Sequence, residues 1–313
     1  METVKISTYQ SVSRYDPTHT TRLRNAFARE VKRRFAVLKN VIVRSIVDND
    51  CFGLSKEQIQ LHAQMPAGWR AFAFTRDEQK INEFIKWLEK QIQDGILTVR
   101  DLEEAVRMGN TIWFNKFVVD TYKRGLLRAK LELRRAGYKI PEEEWRTIEA
   151  TLMNAPIHVG TLAFIYTRVY SELKGITSQM STQISQVLAQ GLADGDGPRL
   201  LARKLVAAID GTGMGTLGIT DTLGRFIPAE RRALMLARTE LIRAHHLAMV
   251  NTYRAWGIEG VKIMAEWLTA GDDRVCDRCG KLEGKTFTLD EAESMIPLHP
   301  NCRCIILPVI VED

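Results

Sequence analysis

The chain has 313 residues, 45% of them hydrophobic and 26% charged, with 44 Lys and Arg against 38 Asp and Glu for a net charge of +6. This composition excludes a disordered or fibrous chain, and the length suits two ordinary domains or one large one. No apolar run approaches the roughly 20 residues that cross a bilayer, and the first 30 residues carry no apolar stretch of the signal-peptide kind. The expectation is a protein made in a cytosol, without a membrane. In such a reducing compartment clustered cysteines bind metal more often than they form disulfides.

In chain order, the first predicted element is one long amphipathic helix over residues 20–47. Phe27, Val31, Phe35, Leu38, Ile42 and Ile46 recur every three or four residues and line one face. Nine Lys or Arg against two acids lie between Arg14 and Arg44. Arg22, Arg24, Arg29, Lys32, Arg33, Arg34 and Lys39 are the candidate contacts to phosphates or to an acidic protein partner. No aromatic residues are interleaved as a stacking platform would require. Cys51, beside Phe52 in a turn, reads as a small buried apolar group.

A capping box at Thr75 and Glu78 predicts the next helix start, and Gly95 its C-terminal cap. A short helix at "TVRDLEEA", a long one ending near Gly137 and one opened by Pro141 with three glutamates follow. No chemistry is visible in this half. "NAPIHVG" marks a candidate boundary, giving a helical domain over 1–155 and a second over 156–313. Beyond it the pattern predicts helices over 161–174, 178–192, from Pro198, and from Pro228 to Gly257. The glycine-rich stretch "GTGMGTLG" lacks the lysine and spacing of a phosphate loop and reads as a flexible connection. In the Pro228 helix, Arg238, Thr239, Glu240 and Arg243 read as surface ion pairs. His245 and His246 point about 100° apart there, so they do not share a metal.

"VKIMAEW" and "CRCIILPVIVE" read as strands, framing a small α+β unit. The fold class is therefore mainly α, with long N-terminal helices followed by helices packed on a short β-sheet closed by a Cys/His cluster. That cluster is C-x2-C at Cys276 and Cys279, then H-x2-C-x-C at His299, Cys302 and Cys304. It offers five soft or borderline ligands where tetrahedral zinc takes four. Cys276, Cys279 and Cys302 are the first three, and His299 and Cys304 compete for the last place, giving one structural zinc per chain. Buried core thiols are the bland alternative. A zinc-dependent nuclease or other DNA-acting enzyme is the functional one, with Asp272, Asp273 or Glu283 near the ion. Against catalysis, a closed thiolate-rich site suits structure, and the second histidine of a ββα-metal nuclease is missing.

The motif series "ARTELIRAHHLAMVNTYRAWGI", "EWLTAGDDRVCDRCGKLEGKTF" and "PLHPNCRCIILP" resembles the phage Mu protein F-like family of minor head, or head morphogenesis, proteins. Arg238, Thr239 and Glu240, Trp267, Asp272 and Asp273, Cys276 and Cys279, Leu282 and Gly284, and His299 to Cys304 carry the resemblance, which spans about residues 176–308. It implies a non-enzymatic tailed-phage virion component. Such a protein would be made in the host cytoplasm and placed in the head near the portal vertex. The implied partners are the portal protein, the major capsid protein, or both, with packaged double-stranded DNA as a further contact. No catalytic residues carry over.

Overall fold

The computed structural model describes residues 16–54, 67–138, 141, 143, 145–146, 154–210, 227–257 and 261–312. Among them the chain is mainly helical, with one small antiparallel sheet late in the sequence. Helix α1 (Thr21–Val43) runs into a π-helical turn at Arg44–Asp48, and α2 (Ala67–Ile92) into another at Gln93–Leu97. Then come α3 (Leu102–Arg107), a 3-10 turn at Gly109–Thr111, α4 (Trp113–Arg135), α5 (Pro156–Ala193), α6 (Pro198–Asp210) and α7 (Ala229–Trp256). The remainder is β1 (Val261–Leu268), α8 (Asp277–Gly280), β2 (Thr286–Phe287), α9 (Leu289–Glu293) and β3 (Ile305–Glu312). Contacts divide the chain into two compact units: Met1–Ala28 with Glu103–Val169 and Met235–Asp313, and Arg29–Leu102 with Tyr170–Leu234.

The sheet-containing unit is organised by two periodicities. Along α4, Phe114, Val118, Tyr122, Leu126, Ala129 and Leu133 are buried, one stripe of a 3.6-residue period. Along β1, Ile263, Ala265 and Trp267 are buried while Lys262, Met264 and Glu266 are more open, the two-residue period of a half-buried strand. Strand order is β2-β1-β3, all antiparallel, with Trp267 opposite Ile306 and Ala265 opposite both Pro308 and Phe287. Pro308 sits in the edge strand β3, where a missing N–H costs no ladder bond on the open side. The core joins Trp145, Met249, Tyr253, Trp256, Trp267 and Ile306 to Cys279, Cys302 and Cys304. Two buried contacts fasten α4 in place. At Gly125 it approaches α7 so closely that a Cβ would stand 2.4 Å from the His245 carbonyl oxygen. The Tyr122 hydroxyl accepts from Asn251 Nδ2 (3.1 Å) and pairs with His158 Nδ1 (2.6 Å).

Among the described residues, the regular elements of the second unit are all helical. Val31, Phe35, Leu38, Ile42 and Ile46 are buried as their spacing requires, with Leu88 and Ile92 of α2, Leu173, Met180, Ile184 and Leu188 of α5, and Leu201, Leu205 and Ile209 of α6. Lys39 Nζ bridges Asp210 (2.7 Å) and Glu230 (2.9 Å).

Several sequence expectations are corrected. Helix α2 starts at Ala67, so Thr75 lies inside it rather than at its start, and an internal Thr does not stop a helix. Gly95 lies within the π-turn, and Thr98 takes the left-handed conformation (φ 62°) that ends it. The helices expected over 161–174 and 178–192 are one 38-residue helix, because Gly175 is tolerated and the Thr177 hydroxyl donates back to the Leu173 carbonyl. Cys51 is exposed, since the chain turns at Asp50 (φ 42°) and buries Phe52 instead. Glu240 is buried, not a surface ion-pair member. The strand β2 and the helix α9, begun by a capping box at Thr288 and Glu291, carry no strong periodic signal and were not expected. The helix opened by Pro141 falls largely, and the glycine-rich stretch wholly, outside the described residues.

Candidate metal centre

The long connection between β1 and β3 carries the cysteines in two tight turns. In the first, Cys276 caps α8, its sulfur accepting the Cys279 N–H at 3.4 Å. In the second, the His299 carbonyl accepts the Cys302 N–H at 3.1 Å, across an Asn301 held at φ 60°. Asn is among the few non-glycine residues that take this left-handed conformation readily. His299 Nδ1 lies 2.8 Å from the Pro300 carbonyl, which can only accept, so Nδ1 carries the proton. Nε2 is left with its lone pair facing two sulfurs, Cys276 at 3.3 Å and Cys279 at 3.2 Å.

The donors form two overlapping groups, Cys276 with Cys279 and His299, and Cys279 with Cys302 and Cys304; within each, the donor atoms lie within 4.8 Å of one another. All five cysteines are free. Cys279, Cys302 and Cys304 are buried and Cys276 and His299 half-buried, so the cluster runs from the core toward the surface. Burial pushes the Cys279 thiol up to about 12, with the neighbouring Cys302 adding to the effect. Cys302 is drawn down to about 5, first by the Cys304 side chain, then by backbone N–H groups of Cys304 and Leu298. Cys304 is raised, by Cys302 and by burial. One imidazole lone pair and four sulfurs make a donor set for a soft or borderline cation. The spacing fits as well: donors on one tetrahedral ion stand about 3.6 Å apart for a sulfur–nitrogen pair, close to the 3.2 and 3.3 Å found here. This cluster can hold a metal ion.

Outside the donors, charged and polar groups fix the two turns. Arg303, between Cys302 and Cys304, makes a two-pronged contact with Asp272, Nη1 to Oδ2 at 2.7 Å and Nη2 to Oδ1 at 2.5 Å. Asp272 also receives Arg274, and the two guanidiniums hold its carboxyl well below the usual carboxylate range. Glu283 accepts the Thr269 N–H at 2.6 Å. Asp272 and Glu283, two of the three carboxylates proposed for hydrolysis, are thus engaged in structure. From α7, the Thr239 hydroxyl donates to the Met235 carbonyl (2.7 Å) and accepts the Asn301 N–H (3.0 Å), which anchors the turn between His299 and Cys302. Glu240 accepts from Arg168 (2.9 Å) and Arg243 (3.0 Å). His246 Nε2 donates to the Ala292 carbonyl at 2.8 Å, holding α9. Trp267 is buried, its N–H on the Lys285 carbonyl and its C=O accepting from Gly284. Arg238 is exposed.

Residues 182–307 match the family model described as phage Mu protein F like protein. This part of the chain is phage Mu protein F-like. The family is one of phage head-related structural proteins. Comparison with curated proteins and with solved structures gives no match. The Mu F-like match begins within α5 and ends in β3, close to the span carried by the motifs. Four of its motif residues, Thr239, Glu240, Trp267 and Asp272, tie down the Cys/His connection or the helix and strand that bear it. The ties of Thr239 to Asn301, Arg303 to Asp272 and Glu283 to Thr269 leave no trace in sequence spacing, because each joins residues of unrelated local pattern.

The seven cations of the α1 stripe separate into two sets. Arg24 is buried on Asp16 (3.1 Å) and Thr21, Arg34 binds Glu30 and the Gly95 carbonyl, and Lys39 is held by Asp210 and Glu230. Arg33 is exposed and grips Glu30 with two nitrogens. Arg22, Arg29 and Lys32 are exposed with no ion pair among the described residues. No described helix is long and apolar enough to cross a membrane.

Proposed function

We propose that this Mu F-like protein is a tailed-phage minor head protein with a structural part in head assembly at or near the portal vertex. Its C-terminal connection would be closed by one zinc ion per chain. The observation that carries this reading is the family match across residues 182–307, together with a sulfur-rich cluster beside which Asp272 and Glu283 are already engaged. Zinc bound there supplies a cross-link between the two turns and stabilises the fold they belong to. Cys276, Cys279 and His299, completed by Cys302 or Cys304, would hold it.

The partner reading is a portal or major capsid subunit first and packaged DNA second. Arg29, Lys32 and Arg33 lie close together on α1 and are exposed. Three cations neutralising three phosphates give a salt slope of only about −3, against the 6–10 contacts of proteins whose affinity the backbone dominates. An acidic protein surface suits so small a patch better.

Co-expression with the portal protein of the same phage tests the assignment. Co-purification in a fixed stoichiometry, reduced by Arg29→Glu with Lys32→Glu, is the expected result. Free monomer beside an empty portal, and absence of the chain from purified heads, would refute it.

A further inference from the structure

Beside the exposed cations of α1 lies a cavity that the acidic-partner reading leaves unused. Resting on that reading, we propose that this cavity is an anchor pocket. It takes one aliphatic side chain from an acidic segment of the portal or major capsid subunit, with acidic residues of that segment on both sides of the anchor.

The cavity, about 290 Å³, lies between α1 and the π-turn that follows α2. Leu38 and Ile96 line it as buried core residues, and Val37 and Val41 line it from α1. Val37 is 50% exposed, so apolar surface at this edge is left to solvent. Gly95 lines the turn side, and nothing stands within 4 Å of a Cβ built on it. The turn therefore leaves open space where another residue would place a side chain. A cavity of about 150 Å³ already admits benzene, so this one has room for a leucine-sized group.

Charge selects the occupant. Arg29, Arg33, Val37 and Val41 follow one another at four-residue intervals, with Arg44 three residues later, so they share one ridge of α1 and its π-turn. Cations thus stand at both ends of the apolar pair. Arg29 and Arg44 are exposed with no ion pair among the described residues. Arg33 and Arg34 hold Glu30, and Arg34 also donates to the Gly95 carbonyl, which fixes the wall between helix and turn. Asp94 is the acid of the lining and stands on the turn side. It disfavours an acidic segment there and so directs that segment along α1. Packaged DNA offers phosphates but no aliphatic knob, and bases stack on aromatic side chains, none of which is among the described residues of the lining.

Biolayer interferometry of the full chain against the portal and major capsid proteins of the same phage tests the pocket. Gly95→Leu fills the cavity without changing charge, and is expected to weaken binding roughly tenfold, mostly through faster dissociation. Val37→Asp, on the exposed edge where folding is not at stake, should do at least as much. Arg29→Glu with Arg44→Glu should instead slow association and flatten its dependence on salt. Asp94→Asn should bind more tightly. Parent-like binding by both Gly95→Leu and Val37→Asp, with the charge variant still weakened, overturns the pocket and leaves the acidic-partner reading standing. An unchanged salt dependence in the charge variant overturns the acidic occupant. Binding of a short DNA duplex in place of either subunit, indifferent to Gly95→Leu, would assign the ridge to phosphates and overturn the anchor. A parent chain that binds neither subunit nor DNA would defeat the partner reading itself, and the pocket with it.

Discussion

Gly125 tests the packing of the sheet-containing unit most directly. A Cβ added there would stand 2.4 Å from the His245 carbonyl oxygen, 2.7 Å from Ala248 Cβ and 3.1 Å from His245 Cα. Two of these neighbours are backbone of α7, so no side chain can rotate away and α4 must move. Gly125→Ala therefore sets two known effects in opposition. Replacing a mid-helix glycine by alanine favours the helix by about 1 kcal/mol, while forcing atoms into a packed contact costs about 1–3 kcal/mol, and more where backbone is displaced. The clash is deep, so the upper end applies and the net loss is about 2 kcal/mol. At about 2–4 °C per kcal/mol, the melting temperature should fall by about 4–8 °C. Gly175, inside α5 with nothing within 4 Å of its would-be Cβ, is the matched control. Gly175→Ala feels only the helix term and should be raised by roughly 0.4–1 kcal/mol. Thermal unfolding of both variants by circular dichroism decides the matter. A Gly125→Ala melting temperature equal to or above that of Gly175→Ala would show that α4 and α7 do not touch there.

Acid should weaken the fold through His245 and His246. Burial holds the two folded-state values at about 3 and about 4, whereas the unfolded chain takes up these protons near pH 6.5. The unfolded state binds more protons between those values, so stability is complete above about pH 6.5 and falls toward pH 4, by up to about 1.4 kcal/mol per pH unit for each histidine. Melts from pH 7.5 to 4.5 should show this slope, and it should be shallower in His245→Asn. An equal slope in both proteins would contradict it. Thr239→Val removes the acceptor of the Asn301 N–H and should cost about 1 kcal/mol, with metal affinity lowered about 10–100-fold as for lost outer-shell partners. Unchanged zinc affinity in a competition titration would mean that the Asn301 turn needs no anchor from α7.

Sequence periodicity is enough to place α1, α4, α6, α7, β1 and β3, because an apolar stripe at 3.6 or 2 residues is a property of neighbours along the chain. The same holds for the cluster as a unit, since C-x2-C and H-x2-C-x-C are local spacings, and for the family motifs read in order. Where expectation failed, a local signal was overridden. A capping box at Thr75 lost to a helix already running from Ala67, and a glycine at 175 did not break α5. Tertiary structure alone decided which cations of the α1 stripe remain free. Lys39 meets carboxylates 171 and 191 residues away, and Arg34 a carbonyl 61 residues away, separations at which spacing carries no information. It also decided what Thr239, Glu240 and Asp272 do. As letters they mark a family; in space they hold a helix and two turns in place around five donors. The composition of the site was therefore written in the sequence, while its geometry arises from long-range pairings that only folding creates.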